Sequence, residues 1–165
     1  MNIEHRTSNV KRRILPCDIG FIGVGNEQRR DDGVGIFIVR HLARLHLHGA
    51  RIAETRRDAT HLMHLWQGAG VVYVFDALYA PGTAGAIYRL DAVNEPIPAD
   101  LLQVSTHTLG IAEAVELARV LNQLPAELIL FGVGGKNFGP GQGLSRQCRQ
   151  SALSVIRRVA DEIRD

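Results

Sequence analysis

Three short runs of apolar residues, separated by segments of helical periodicity, constrain the fold of this 165-residue chain most strongly. The runs cover residues 19–24, 71–75 and 128–133, and the second of them reads VVYVF. Uninterrupted β-branched and aromatic runs of this length are typical of strands that are buried on both faces. Because such strands occur where helices cover both sides of a sheet, the runs predict a parallel sheet inside an α/β domain.

The segments between these runs predict the remaining elements. Four segments carry apolar residues at helical spacing: residues 33–46, 60–66, 108–121 and 145–163. Thr60 is the expected N-cap of the short second helix. Residues 51–55 predict a further strand, and residues 85–90 predict a strand antiparallel to its neighbour because they follow a Pro-Gly turn. This order predicts a three-layer α/β/α sandwich with a mostly parallel five-stranded sheet that includes one antiparallel strand.

Length and composition are those of one ordinary globular domain. Hydrophobic residues make up 45% of the chain, charged residues 22%, and the net charge is +2. We expect the polar residues 1–13 to form a flexible tail and residues 14–165 to form a single α/β domain. The arginines form no basic stripe interleaved with aromatic residues, and no apolar run approaches the ~20 residues that span a bilayer. The sequence therefore indicates neither nucleic-acid nor membrane binding.

The two cysteines bear on the compartment. Cys17 and Cys148 have neither the spacing of metal ligands nor that of a disulfide framework. Unpaired cysteines fit a reducing compartment, and no targeting segment is apparent near the start of the sequence. We therefore expect a cytoplasmic protein.

Acidic residues and one histidine follow the predicted strands toward one edge of the sheet. Asp31 and Asp32 come after the first strand, Asp76 directly follows VVYVF, and His107 precedes the third predicted helix. Sites in open α/β sheets form beyond the carboxyl ends of the strands, so these side chains are expected to meet there. Carboxylate oxygens and an imidazole suit a borderline divalent ion such as nickel or zinc.

Each of these residues also has a structural explanation. Asp31 or Asp32 could N-cap the helix that begins near Gly33. Asp76 could orient loop amides at the end of its strand, and His107 could bond to a neighbouring backbone group at the start of a helix. Spacing alone leaves these alternatives open.

Other polar residues give weaker signals. His61 and His64 have the i, i+3 spacing of a metal pair, but with no third ligand nearby they are expected to lie on a solvated helix face. Asn26 follows the glycine turn and is expected to hold the loop, or to bind a peptide carbonyl. The chain has no G-x-S-x-G elbow, and neither cysteine has a partner histidine in sequence context.

The glycine-rich stretch GVGNEQRRDDGVG, residues 23–35, raises a nucleotide-binding alternative. It has the first two glycines of a dinucleotide fingerprint, but Gln28 stands where the third glycine should be. The acidic pair Asp31-Asp32 would repel a pyrophosphate, and no GK[ST] lysine is present. The glycines are better explained as turn and close-approach residues.

Four stretches match the sequence blocks of one known family, in the order of the chain. GVGNEQRRDDGVG is similar to the signature G-x-G-N-x4-D-[DE]-x-x-G, and VVYVFDALYAPGTAG to a strand that ends in Asp before a PGT turn. STHTLGIAEAVELA resembles a block in which [ST]-x-H opens a helix, and LPAELILFGVGGKNFGPGQGLS resembles the last strand and its loop. Over roughly residues 18–150 the chain thus resembles the maturation endopeptidases of nickel–iron hydrogenases.

The resemblance implies a function and a set of site residues. Members of that family remove a C-terminal extension from the hydrogenase large-subunit precursor after nickel insertion. Their metal-recognition residues correspond to Asp32, Asp76 and His107 here, which the resemblance implies as both catalytic residues and ligands of nickel carried by the substrate. It implies no tightly bound cofactor of the chain's own.

The expected partner is the precursor, bound by a monomer, and Asp31 is expected to orient the site. The family's aspartic-type label does not imply a pepsin-like carboxylate dyad.

Two loops depart from the family pattern. This chain reads ETRRDATHLM where many relatives have a glycine-rich DGGT-like stretch, and GVGG after the last strand where relatives often have an acid, as in GIE. These loops are expected to help select the partner. Two alternatives to a protease remain at this point: a non-proteolytic maturation chaperone that checks nickel loading, and a nucleotide-binding enzyme.

Overall fold

A computed structural model describes residues 19–56, 58–98 and 109–164 of the chain. Its elements are, in chain order, β1 (Ile19–Val24), a 3₁₀ helix (Arg30–Gly33), α1 (Val34–Ala43), β2 (Arg51–Thr55), α2 (Ala59–Trp66), β3 (Val71–Tyr79), a second 3₁₀ helix (Pro81–Thr83), β4 (Ile87–Asp91), α3 (Leu109–Val120), β5 (Glu127–Gly135) and α4 (Arg146–Arg164). The predicted alternation of strands and helices is confirmed.

The described strands form one five-stranded sheet in the order β2-β1-β3-β5-β4. The strands β2, β1, β3 and β5 run parallel, and β4 pairs with β5 in the antiparallel direction. The predicted mostly parallel sheet with one antiparallel strand is therefore confirmed. The parallel strands direct their carboxyl ends to one edge, which is where the candidate residues follow β1 and β3.

Helices cover both faces of the sheet, as the continuous apolar runs predict. On one face, α1 and α4 pack against a row of stacked aromatic rings, namely Phe21, Tyr73, Phe75 and Phe131. On the other face, α2 and α3 pack against strand residues of opposite parity, namely Ile22, Val24, Val72, Val74 and Leu128. Because side chains alternate along a strand, β1, β3 and β5 each supply both cores.

β3 and β5 extend further than the sequence predicts. β3 continues to Tyr79, so Asp76 lies inside the strand opposite Gly132 rather than after its end. β5 continues to Gly135, so the GVGG stretch is part of the strand and not of the following loop. A search for apolar runs does not detect the polar and glycine residues at the ends of these two strands. Backbone pairing between β3 and β5 nevertheless keeps these residues in strand conformation.

Two helix boundaries also differ from the prediction. α1 is preceded by the 3₁₀ helix and ends at Ala43, and His46 then takes a left-handed φ of 49° that a helix cannot continue through. The N-cap of α2 is Asp58, whose carboxylate accepts a 2.8 Å hydrogen bond from the His61 amide, so the prediction of Thr60 as the cap is wrong. A carboxylate at this position also interacts favourably with the helix dipole.

Several predictions concern residues outside the described ranges. The tail at residues 1–13, Cys17 and His107 all belong to this group. Among the helices that are described, none is long and apolar enough to cross a membrane.

Candidate functional site

The turn after β1 places Asp32 at the carboxyl edge of the sheet. Gly25 has a φ of 142°, and a side chain there would overlap the carbonyl oxygen of Asp32. The Asn26 amide donates a 3.2 Å hydrogen bond to that same carbonyl oxygen. The second glycine of the GVG stretch is therefore a close-approach residue, as predicted, and it holds the backbone of Asp32 directly beside the end of β1.

A second close contact between backbone segments packs the start of α1 against β3. A β-carbon at Gly35 would overlap the carbonyl oxygen of Phe75 and would lie 2.5 Å from that of Val24. Gly23 contributes from the β1 side, because a β-carbon there would lie 2.5 Å from the Gly35 carbonyl oxygen. These glycines bring the helical segment that carries Asp32 against the strand residue that immediately precedes Asp76.

Asp76 lies in β3 level with the end of β1, and its side chain projects to the side of the sheet that α2 and α3 cover. It has the same parity as Val72 and Val74, so its side chain belongs to the face that α2 and α3 cover. Its Oδ1 accepts a 2.8 Å hydrogen bond from the Ala77 amide, and it borders an apolar cavity together with Ile111 of α3.

Asp32 and Asp76 share an unusual burial. Their exposed fractions are 0% and 4%, although carboxylates are almost never fully buried unless they are paired. The structure brings the 3₁₀ helix that carries Asp32 into contact with β3, so the two carboxylates approach one edge of the sheet from separate elements. Carboxyl oxygens of this kind are ligands that divalent cations take in proteins.

Asp31 has a different role from its neighbour. Its buried carboxylate accepts hydrogen bonds from the Lys136 and Asn137 amides at 3.0 and 3.1 Å. It also accepts from the Ser145 amide at 2.6 Å and from the Ser145 hydroxyl at 3.0 Å. The N-cap residue of α1 is Gly33, so the prediction that either aspartate caps this helix is wrong. Asp31 instead fixes the loop after β5 and the residue before α4.

The Cys148 thiol lies in the first turn of α4, close to Asp31. Burial, and then the charge of the Asp31 carboxylate and a hydrogen bond to it, raise the pKa of this thiol to about 12. A thiol with such a pKa is protonated at neutral pH and is a poor nucleophile. Cys148 is therefore a core residue, which agrees with the absence of a nucleophile motif.

Arg40 of α1 ties the β1–α1 loop to the end of β2. Its guanidinium donates to both carboxylate oxygens of Glu54, at 2.7 and 2.9 Å, and to Glu27 at 2.7 Å. Hydrogen bonds to Glu54, and then to Glu27, raise the pKa of Arg40 above its ordinary value. Asn26 completes the turn, because its Oδ1 accepts from the Gln28 amide at 3.0 Å, which agrees with the loop-holding role predicted for it.

The predicted set of three ligands is only partly within the described ranges. The structure places Asp32 and Asp76 at one edge, whereas His107 lies outside those ranges. Within residues 19–56, 58–98 and 109–164, no group of three histidine, cysteine or acidic side chains could hold a metal ion. His61 and His64 are both exposed, in agreement with the expected solvated helix face.

Sequence reasoning missed two polar arrangements at this edge. The contact between Asp31 and Ser145 joins residues 114 positions apart, and no local spacing signals it. The imidazole Nδ1 of His61 lies 2.8 Å from the Thr55 hydroxyl, which joins α2 to the last residue of β2.

Comparisons with known proteins identify the family of this chain. The family model described as hydrogenase maturation protease matches residues 38–162, a range that contains Asp76 and His107 and begins after Asp32. The hydrogenase expression/formation protein HoxM of Azotobacter vinelandii is 30% identical over 150 residues, which are 88% of this chain and 71% of that protein. HoxM of Cupriavidus necator is 24% identical over 87% of this chain and 72% of its own length.

Solved structures show the same fold. The hydrogenase maturating endopeptidase HybD from E. coli superposes with a TM-score of 0.75 at 23% identity, over 88% of this chain and 91% of that one. The [NiFe] hydrogenase maturation protease HybD from Thermococcus kodakarensis gives 0.68 at 20% identity, over 88% and 97%. Since the family model covers most of the sequence, this chain belongs to the hydrogenase maturation protease family.

Proposed function

We propose that this protein is an endopeptidase that removes the C-terminal extension of a nickel–iron hydrogenase large-subunit precursor after nickel has been inserted. In this proposal Asp32, Asp76 and His107 meet the nickel that the precursor carries. The observation that supports it best is the burial of Asp32 and Asp76, from two separate elements, at the carboxyl edge of the sheet in a member of this family.

The position of His107 in the sequence is compatible with this role. It precedes α3 by two residues, and α3 packs on the face of the sheet to which Asp76 belongs. An imidazole added to two carboxylates would complete a ligand set that suits nickel. The substrate carries the nickel, so the protein would detect whether the precursor contains nickel and would need no bound metal ion of its own.

The chemistry follows from where these side chains would hold the precursor. Asp32, Asp76 and His107 would share the nickel with thiolates of the precursor and so fix its tail at the edge of the sheet. Nickel held there could polarise the scissile carbonyl or lower the pKa of a bound water. Alternatively, one of the two carboxylates would act as general base on water. Asp31 would contribute by fixing the surrounding loops.

The direct test is the intact mass of a nickel-loaded large-subunit precursor from the same source, before and after mixing with this protein. We expect loss of a C-terminal fragment, and no loss from a nickel-free precursor. An unchanged mass together with nickel-dependent binding would replace the protease by a nickel-checking chaperone. An unchanged mass without binding would reject both functions for that precursor.

We further infer that the protein works as a cytoplasmic monomer that docks transiently on its precursor. The buried, protonated Cys148 thiol is compatible with a reducing compartment. Sedimentation of the protein alone, and then with the nickel-loaded precursor, would test the monomer, since a self-associated species in the first run would contradict it.

A further inference from the structure

A cleft of about 450 Å³ opens beside the backbone of Asp32. It lies between the turn after β1, the first turns of α1, the end of β2 and the start of α2, and its lining includes Asn26, Arg56 and His61. Asn26 binds the Asp32 carbonyl oxygen, so one wall of the cleft is in direct contact with the proposed catalytic segment. Its volume lies in the range of ligand pockets, about 300–1,000 Å³.

The hydrogen bonds of Thr55 define the tautomer of His61. Thr55 is 6% exposed, and its hydroxyl donates a 2.8 Å hydrogen bond to the carbonyl oxygen of Arg56. A hydroxyl has a single proton, so the 2.8 Å contact with His61 requires that the imidazole Nδ1–H donates to the Thr55 oxygen. With Nδ1 as the donor, the acceptor of this tautomer is Nε2, and His61 is one of the residues that line the cleft.

Most charged groups of the cleft are already engaged within it. Arg40 binds Glu27 and Glu54, and the Asp58 carboxylate accepts from the His61 amide. Among the described residues that line the cleft, the groups without a hydrogen bond inside it include Nε2 of His61, the guanidinium of Arg56 and the side-chain Nδ2 of Asn26. A polypeptide backbone offers the complementary pair, an N–H donor and a carbonyl acceptor, along a single extended segment.

We propose that this cleft binds the polypeptide segment of the precursor next to the scissile bond, and that His61 Nε2 accepts a hydrogen bond from an N–H group of that segment. This assignment rests on the proposed endopeptidase function. It makes His61 a positioning residue for the substrate, and it places part of substrate selection at the lining residues Arg56 and His61.

Steady-state cleavage of the nickel-loaded precursor tests this assignment. His61→Ala should raise KM roughly tenfold, the equivalent of one lost hydrogen bond, and should leave kcat unchanged because the bond is made equally in ground and transition states. Thr55→Val, which removes the hydroxyl that selects the tautomer, should raise KM in the same direction. The matched control is His64→Ala, on the same helix, exposed and outside the cleft lining; its KM should equal that of the wild type.

A nitrogen-15 NMR measurement on histidine-labelled protein gives an independent result. In the free protein, His61 should show a protonated Nδ1 and an unprotonated Nε2. Nickel-loaded precursor is added to the Asp76→Asn variant, in which cleavage is expected to stop, at concentrations at which sedimentation shows that the two form a complex. The Nε2 resonance of His61 should then move and that of His64 should stay in place.

The outcomes separate this inference from the proposed function. If the wild type cleaves the precursor and His61→Ala has an unchanged KM, the assignment of the cleft is wrong while the protease stands. If the wild type does not cleave, the proposed function fails, and the NMR titration then shows whether the precursor binds in the cleft. An Nε2–H tautomer in the free protein, or an unmoved Nε2 resonance on precursor binding, would overturn the assignment.

Discussion

The carboxylate of Asp31 accepts hydrogen bonds from both the amide and the hydroxyl of Ser145, at 2.6 and 3.0 Å, across 114 positions of sequence. Together with the bonds from the Lys136 and Asn137 amides, these contacts join the loop after β1 to the loop after β5 and to the start of α4. The two neighbouring aspartates therefore have separate roles: Asp31 holds the loops of the sheet edge together, and Asp32 is the candidate for chemistry.

Asp31→Ala should lower the free energy of unfolding by roughly 3 kcal/mol, because it leaves several buried donors without their charged acceptor. Urea denaturation monitored by circular dichroism measures this loss. The control Asp161→Ala removes an exposed carboxylate from α4 and should change stability by less than about 0.5 kcal/mol. Equal stabilities of the two variants would contradict the structural role of Asp31.

Asp32→Asn and Asp76→Asn should each abolish cleavage of the nickel-loaded precursor if the proposed function is right, because an amide keeps the shape of the carboxylate but not the charge that would meet the nickel. His107→Ala should have the same effect. Intact mass measures cleavage, and thermal unfolding shows that the fold is retained. Normal processing by all three variants would refute the assignment of the site, whereas Asp161→Asn should cleave like the wild type.

Gly35→Ala should destabilise the protein by about 1–3 kcal/mol, because the added methyl group overlaps the Phe75 carbonyl oxygen and overpacks the contact between α1 and β3. Gly82→Ala is the matched control, since no atom of the described residues lies within 4 Å of a β-carbon at that position. Thermal denaturation of both variants measures the difference. A Gly35→Ala protein as stable as the control would mean that α1 can move away from β3 at little cost.

Asp58→Ala should cost about 1 kcal/mol of stability, the usual value of a lost N-cap, because its carboxylate binds the His61 amide. Thr60→Ala should have little effect, although the sequence predicts Thr60 as the cap. Chemical denaturation of the two variants distinguishes these positions. A larger loss for Thr60→Ala would restore the sequence-based prediction.

Stability should decline in alkaline solution, in part because of two buried groups. Burial, and then Asp31, raise the pKa of Cys148 from 9.0 to about 12, and burial, and then the Glu162 charge, raise the pKa of Tyr73 from 10.0 to about 12. A raised pKa means that the folded state holds its proton more tightly than the unfolded state, so the stabilisation is complete below about pH 9 and is lost between about pH 9 and 12.

Denaturation midpoints measured across this pH range test the decline. The variants Cys148→Ala and Tyr73→Phe should each show a shallower loss of stability than the wild type, because each removes one of the two titrating groups. Slopes identical to that of the wild type would show that neither group contributes.

The elements that were predicted correctly are those whose signal is local. β1 and β2 have the bounds expected from their residues, and α4 buries Cys148, Ala152 and Val155 at helical spacing. The ends of β3 and β5 were missed because Asp76 and Gly134 are held in strands by pairing with distant backbone rather than by their own preferences. The cap of α2 was misassigned because both Asp58 and Thr60 are suitable cap residues, and only the backbone geometry selects one.

The sequence by itself determined the α/β class, the presence of one antiparallel strand, the family and the residues Asp32, Asp76 and His107 as candidates, because periodicity, strand order and motif spacing are properties of the chain. The tertiary structure decided which aspartate is structural, how deeply Asp32 and Asp76 are buried, and which nitrogen of His61 contacts the Thr55 hydroxyl. Those properties depend on contacts between residues that lie far apart in sequence, such as Asp31 with Ser145, which local preferences do not encode.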